Sequence, residues 1–139
     1  MESTQPKATM LRASDLPSVA RVGGASTTRL VSRACGAQAI LNGFTSIPPG
    51  VTIPVHYHNC EESVLVIEGE AVAEIDGEAT QLQAGDVTWI PAELPHRFRN
   101  PSPDTTLRIF WTYATADATR TLVESGETHT IDAEHSDTS

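Results

Sequence analysis

The sequence predicts an all-β protein that folds as a single domain. From about residue 26 to residue 113, short runs rich in Val, Ile, Thr and aromatic residues alternate with Gly, Pro, Asn and Asp, as is typical of strands joined by turns. The chain has 139 residues, 39% of them hydrophobic, which is enough for one core. Many short strands at near-regular spacing favour a closed barrel or a sandwich, because closure removes exposed strand edges.

Nine strands are predicted between two polar ends. Glu68-Gly69-Glu70 and Asp76-Gly77 are typical of hairpin turns, and residues 115–124 are a candidate for a short helix. The predicted strands cover about 28–33, 38–46, 52–57, 63–68, 71–76, 79–82, 87–90, 96–99 and 106–114.

The polar ends divide the chain into three parts. Residues 1–25 are expected to form an N-terminal extension with an edge strand, 26–115 the barrel, and 116–139 an acidic C-terminal segment. Both ends are polar and lack hydrophobic periodicity, so we expect them to be partly disordered. His129 and His135 lie in the acidic segment and are expected to be solvated.

Charge and composition exclude several classes of partner. The net charge of -9 would repel polyanions, so we expect no nucleic-acid partner. The sequence lacks a run of ~20 apolar residues for a membrane span and a secretion signal at its start, so we expect a cytoplasmic protein without a membrane partner. Cys35 and Cys60 have no CxxC spacing and are expected to stay reduced.

Four side chains form a candidate metal site. His56 and His58 are two residues apart, so on a strand both project to the same face. Glu62 could enter the same space from the start of the next strand, and His96 from a second hairpin. Imidazole and carboxylate ligands suit Fe(II), Mn(II), Ni(II), Co(II) or Zn(II). The sequence therefore predicts one divalent transition metal ion bound by these four residues.

The same residues lie in two spaced motifs that resemble those of the cupin superfamily. The first motif, G-x5-H-x-H-x3 or 4-E-x6-G, is matched at Gly50, His56, His58, Glu62 and Gly69. The second, G-x5-P-x-G-x2-H-x3-N, is matched at Gly85, Pro91, His96 and Asn100. Glu93 departs from it by replacing the usual Gly, and a side chain there disfavours positive φ.

The resemblance implies a double-stranded β-helix, or jelly-roll, barrel with the ion in its mouth, often as a homodimer. Glu62 would be the anionic ligand and, if it detaches, a catalytic base. Phe98 shares strand parity with His96 and is expected to line the substrate pocket. Tyr113 and Arg108 are the first polar candidates for that pocket.

Two classes of function remain open. The first is a mononuclear metal enzyme acting on a small oxygen-bearing organic substrate, by a dioxygenase-type oxidation, which the resemblance favours slightly, or as an isomerase, decarboxylase or lyase. The second is a cupin that binds a small molecule without turning it over. A Ser/His/Asp hydrolase is not supported, because the sequence has no G-x-S-x-G motif.

Overall fold

The computed structural model describes residues 7–135, and within them twelve strands form two six-stranded antiparallel sheets. The strands are β1 (Ser18–Ala20), β2 (Ser26–Arg29), β3 (Leu41–Ile47), β4 (His56–His58), β5 (Glu62–Glu68), β6 (Glu70–Ile75), β7 (Glu78–Gln83), β8 (Val87–Ile90), β9 (His96–Arg99), β10 (Leu107–Tyr113), β11 (Thr119–Leu122) and β12 (Thr128–Thr130). A four-residue helix, α1 (Ile131–Glu134), follows β12, and short 3-10 turns cover Ala13–Asp15, Val22–Gly24 and Arg33–Cys35.

The two sheets have orders β1-β2-β3-β10-β5-β8 and β12-β11-β4-β9-β6-β7. We call them the first and the second sheet. Consecutive strands repeatedly lie in different sheets, as in a jelly-roll, and the predicted all-β fold is confirmed. Each of the nine predicted strands overlaps an observed one. The short helix expected over residues 115–124 is wrong: Thr119–Leu122 is β11, which pairs with β4. Its two threonines suit a pleated strand beside an available partner.

Alternating burial along the central strands builds the core between the sheets. β3 and β10 pair along their whole length, and in each the alternate residues are buried. Leu41, Ile47 and Leu107 are fully buried, and Val64 and Val66 of β5 extend the same layer. Removal of this apolar surface from water is the main stabilising contribution to such a core.

Gly43 allows a tryptophan to lie against the sheet. It pairs directly with Trp111 across the β3–β10 ladder. A Cβ at Gly43 would lie 2.7 Å from two atoms of the Trp111 ring and 2.4 Å from the Thr28 carbonyl oxygen. The Trp111 indole nitrogen donates a hydrogen bond to Thr45 Oγ1 at 2.7 Å, which holds the ring in this buried position.

Two residues of the second motif shape the loops around β9. The Asn100 side chain donates to the carbonyl oxygens of Ile47 and Thr105, at 2.9 and 2.8 Å, and so ties the following loop to β3. Glu93 has φ 65, so the turn adopts the left-handed conformation despite its side chain. Its N–H donates to the His58 carbonyl at 2.7 Å, and this contact offsets a backbone cost of about 1 kcal/mol.

The C-terminal segment spans the gap between the sheets. β11 and β12 lie at the edge of the second sheet, and α1 contacts residues of the first. Asp132 forms an ion pair with Arg29 of β2, and His135 is hydrogen-bonded to Thr27. The division into 1–25, 26–115 and 116–139 stays a prediction, and residues 1–6 and 136–139 of its two ends lie outside the described residues. Across residues 7–135, no helix has the length and apolar character needed to cross a membrane.

Gly43→Ala is expected to destabilise the protein by about 1–3 kcal/mol, because the new methyl group must displace Trp111 or the β2 backbone. Urea unfolding would measure the loss. Gly77→Ala is the control, because it adds the same methyl group at a position where a Cβ would meet no atom within 4 Å. Since φ at Gly77 is 81, this variant should lose only ~1 kcal/mol of stability, the cost of a side chain in the left-handed region. An equal or smaller loss for Gly43→Ala would contradict the close packing.

Candidate metal centre

Three histidines converge from one sheet. His56 and His58 lie on β4 and His96 on the neighbouring β9, with His56 and His96 directly paired. All three are buried, and one ring nitrogen of each lies within 4.8 Å of the others. The ring centroids are 4.5 Å (His56 to His96), 4.9 Å (His56 to His58) and 5.1 Å (His58 to His96) apart. The two-residue spacing on β4 therefore places both histidines on the inner face, as the sequence predicted.

The opposite sheet supplies a carboxylate and a phenol. Glu62 begins β5 and pairs with Tyr113 at the end of β10. Glu62 Oε1 lies 3.0 Å from His96 Nε2 and 3.4 Å from His58 Nε2. The Tyr113 ring packs 4.6 Å from that of His58. The four predicted ligands therefore meet between the sheets, three from one side and one from the other.

Backbone carbonyls fix which imidazole nitrogen faces the centre. The Nδ1 atoms of His56, His58 and His96 contact the carbonyl oxygens of Pro54, Thr119 and Leu94, at 2.7, 2.9 and 2.9 Å respectively. A carbonyl oxygen can only accept, so Nδ1 carries the proton in each contact. In a neutral imidazole Nε2 is then a bare lone pair. This is the orientation in which proteins present histidine to metals.

The converging atoms are all acceptors. Among residues 7–135, His58 Nε2, His96 Nε2 and Glu62 Oε1 are buried without a hydrogen-bond partner. Buried polar atoms normally find partners, and an unpartnered carboxylate is especially costly. A cation between these atoms would satisfy them together. The donor set, imidazole nitrogens with one carboxylate, fits a divalent transition metal ion.

Burial and neighbouring charge shift the pKa values of the cluster. Burial, with added repulsion from His96 and His58, lowers the pKa of His56 to about 3, so this imidazole is neutral at pH 7. Burial raises the pKa of the Glu62 carboxyl, but His58 and His96 lower it by more when a proton occupies their Nε2 atoms, so in the metal-free protein this pKa lies well below its usual range. Burial and the nearby Glu62 carboxylate raise the pKa of Tyr113 well above its usual value. Tyr113 is therefore a protonated phenol, and it lies on β10 directly opposite Glu62.

A cavity of about 280 Å³ opens beside the cluster. Phe98 and Tyr113 line it, together with Trp111, Ile109 and Val64, and their role in a substrate pocket stays a prediction. Arg108 does not line it, which corrects the prediction for this residue. It lies on the other face of β10, where its guanidinium is 5.0 Å from the centre of the Phe44 ring and 3.6 Å from a Glu68 oxygen. Successive residues of a strand face opposite sides, so Arg108 and Tyr113, five apart, cannot share the cavity face.

Part of the cavity wall comes from residues that the sequence did not indicate. Arg21, Arg120, Glu134 and His135 all line the cavity. His135 was expected to be solvated, yet it is buried, 2.7 Å from Thr27 Oγ1 and with its ring 5.8 Å from that of Trp111. His129, by contrast, is exposed. The contact between Thr27 and His135 joins residues 108 positions apart, and no local pattern in the sequence signals it.

Comparison with known proteins identifies the family. The cupin domain family model matches residues 43–113, just over half of the chain, and this range holds the four converging residues. The chain belongs to the cupin family. The motif resemblance is thereby confirmed, and this cupin places both motifs at one site.

Curated relatives of this cupin include bacterial proteins of two kinds. It is 36% identical over 89 residues to polyketide synthase CurC of Streptomyces cyaneus, a match that covers 63% of this chain and 58% of CurC. It is 39% identical over 59 residues to quercetin 2,3-dioxygenase of Bacillus subtilis (strain 168), covering 42% of this chain and 18% of the dioxygenase. The chain thus spans little more than half of CurC.

Solved structures of low sequence identity show the same fold. The polyketide cyclase RemF from Streptomyces resistomycificus superposes with a TM-score of 0.73 at 17% identity, covering 90% of this chain and 86% of RemF.

The depressed pKa of His56 predicts that the metal-free cupin loses stability as the pH falls. Below the ordinary His pKa of ~6.5 the unfolded chain binds a proton at His56, while the folded chain does not until about pH 3. Unfolding is therefore favoured by on the order of 2 kcal/mol at pH 5. Burial also lowers the pKa of His135, which adds to the same trend.

Urea unfolding of chelator-treated protein between pH 7.5 and pH 5 checks this. Glu62 does not obscure the result, because its depressed pKa affects stability only below the ordinary Glu pKa of ~4.3. His56→Gln should flatten the dependence, whereas the exposed His129→Gln should keep it. The same slope in His56→Gln and the unmodified protein would contradict the assignment.

Proposed function

We propose that this cupin is a divalent-metal enzyme acting on an oxygen-rich, polyketide-type aromatic substrate. The observation that carries the proposal is the set of Nδ1 hydrogen bonds, which turn three bare Nε2 atoms toward one point beside a buried carboxylate. A purely structural cluster would more simply pair these groups with donors. The aromatic walls of the cavity support a small organic substrate.

His56, His58, Glu62 and His96 would hold the ion. When bound, a divalent ion supplies Lewis acidity, which polarises a ketone or phenol oxygen and makes a neighbouring proton easier to remove. The neutral imidazoles and one carboxylate leave the site with a net positive charge, which favours an enolate or phenolate over its neutral parent. Their arrangement does not distinguish between Fe(II), Mn(II), Ni(II), Co(II) and Zn(II).

Glu62 and Tyr113 are the groups of the chain that can move a proton. Glu62 Oε1 faces the imidazoles, which leaves the second oxygen of the carboxylate to accept a proton from the substrate. Tyr113 stays protonated and lies opposite Glu62, so it can donate a hydrogen bond to a developing oxyanion beside the carboxylate. The pair therefore offers a base and an acid side by side.

The cavity walls suit a flat, partly apolar molecule. Trp111 and Phe98 offer ring surfaces, and Trp111 is held by its hydrogen bond to Thr45. The volume of about 280 Å³ is near the lower end of small-molecule pockets. It fits a compact aromatic molecule or one end of a longer one.

The names of the relatives favour a polyketide-type substrate. CurC is named a polyketide synthase and RemF a polyketide cyclase, and cyclisation of a poly-β-ketone begins with a proton removal, the role that we assign to Glu62. Oxidation by dioxygen is the second candidate. It is supported by the 59-residue match to quercetin 2,3-dioxygenase, whose 18% coverage makes it the weaker guide to a whole activity.

Assembly and location belong to the same proposal. Val87 and Trp89 are exposed apolar residues on β8, an edge strand of the first sheet, and so offer a surface for a homodimer. A cytoplasmic location remains our proposal as well. A non-catalytic binding role is the least favoured alternative, because a buried acid and base beside the ion are more than binding requires.

His96→Ala is expected to lose most of its metal, since it removes one of four ligands. Elemental analysis of protein purified without a metal-binding tag gives the stoichiometry. His129→Ala, an exposed histidine, is the control and should keep the full amount. Equal metal in the two variants would contradict the site.

Tyr113→Phe should slow turnover by about 10²-fold, the scale of general acid–base catalysis, with metal content unchanged. Tyr57→Phe is the control, because Tyr57 lies between His56 and His58 and faces away from the cluster.

Assays with aromatic poly-β-ketones and quercetin, under argon and in air with an oxygen electrode, would separate the two candidate reactions. Conversion of a poly-β-ketone under argon supports the first candidate, and oxygen uptake with quercetin alone supports the second.

A further inference from the structure

Two arginines share one carboxylate in the wall of the cavity. Arg21 follows β1 in the first sheet, Arg120 lies on β11 in the second, and Glu134 belongs to α1. Glu134 Oε1 is 3.0 Å from Arg21 Nη2, and Glu134 Oε2 is 3.0 Å from Arg120 Nε and 2.9 Å from its Nη2. All three residues line the cavity.

The charges of this group do not balance. Within residues 7–135, the ion pairs of both guanidiniums go to the single Glu134 carboxylate, which leaves one positive charge in excess. The side chains of Arg21 and Arg120 are only 18% and 20% exposed, so water screens this charge weakly. Each guanidinium has five N–H donors, and the contacts with Glu134 involve one nitrogen of Arg21 and two of Arg120. Donors therefore remain for a second anion.

The position of Arg120 connects this group to the histidine cluster. Arg120 pairs directly with His58 across the β11–β4 ladder, so both side chains leave the same face of the sheet. A molecule that touches the cluster can reach the guanidinium without spanning a long distance. Glu134 shows how a carboxylate is held there, in contact with both arginines.

We propose that Arg21 and Arg120 form an anion-binding subsite that selects substrates carrying a carboxylate. The inference rests on the proposed function, because it treats the cavity as the substrate site, and it narrows the substrate class to aromatic or polyketide-type acids. Glu134 is the positioning residue that holds the two guanidiniums together. The acid's carboxylate lies at the arginines while its ring packs on Trp111 and Phe98.

The competing role for the group is mechanical: the two arginines would only anchor α1 to both sheets. That role predicts a loss of stability on substitution, and an equal effect on charged and neutral ligands. The subsite predicts a loss for charged ligands alone. The ratio of affinities for an acid and a neutral analogue of the same size therefore separates the two roles.

Isothermal titration calorimetry with 1-naphthoate and 1-naphthalenemethanol measures this ratio. The unmodified protein should bind the carboxylate about tenfold more tightly or better, the scale of a hydrogen bond to a charged group. Arg120→Gln and Arg21→Gln should bring the ratio close to one, with the affinity for the alcohol unchanged. Arg33→Gln is the control, because Arg33 pairs with Asp117 on the surface and does not line the cavity.

The titrations are made on the protein as purified and again after chelation. The ratio should persist without metal, so a failure of metal binding and a failure of the subsite give different results. Equal affinity of the two probes for the unmodified protein overturns the proposal, whatever the variants do. An equal loss of affinity for both probes in a folded Arg120→Gln or Arg21→Gln variant also overturns the proposal. Arg21 adjoins the first sheet and Arg120 lies in the second, so one variant can serve if the other does not fold.

Discussion

Three hydrogen bonds from imidazole Nδ1 atoms to backbone carbonyls are the interaction on which the site depends. They are short, they involve carbonyls of the loop before β4, of β11 and of the turn before β9, and they determine the tautomer of each ring. Without them the imidazoles could rotate or present N–H groups, and the converging lone pairs would disappear. The backbone therefore controls the binding properties of the site, because the three carbonyl oxygens determine which nitrogen of each imidazole faces the centre.

The antiparallel registers bring the other groups to the same point. His56 pairs with His96 in the second sheet, and Glu62 pairs with Tyr113 in the first. One cross-strand pair faces the other across the core. The hydrogen bond from His58 to Thr119 of β11 also connects the histidine cluster to the C-terminal segment, so this cluster and the arginine-lined wall belong to one continuous structure.

Local periodicity made the centre predictable. The spacing of His56 and His58 gives their common face, the short polar link brings Glu62 back into the same space, and the hairpin before His96 supplies the third imidazole. Strand parity placed Phe98 correctly. The same parity shows that Arg108 and Tyr113 could not both enter the cavity, and in the structure Arg108 packs over Phe44 on the outer face.

Long-range contacts made the rest unpredictable. Thr119–Leu122 forms a strand because it pairs with β4, and the composition of the segment alone does not indicate this partner. His135 is buried because Thr27, 108 residues earlier, accepts or donates a hydrogen bond across the gap between the sheets. Glu93 keeps a left-handed backbone that its own preference opposes, since its N–H is held by the His58 carbonyl. In each case a distant partner outweighs the local preference.

The cavity wall is assembled from two parts of the chain with separate roles. The four converging residues lie within residues 43–113, whereas Arg21, Arg120, Glu134 and His135 come from the flanks. Substitutions in the flanks can therefore change the shape and charge of the cavity while the histidine cluster stays intact. The terminal segments are therefore the parts of the chain to change when the selectivity of the cavity is to be altered by engineering.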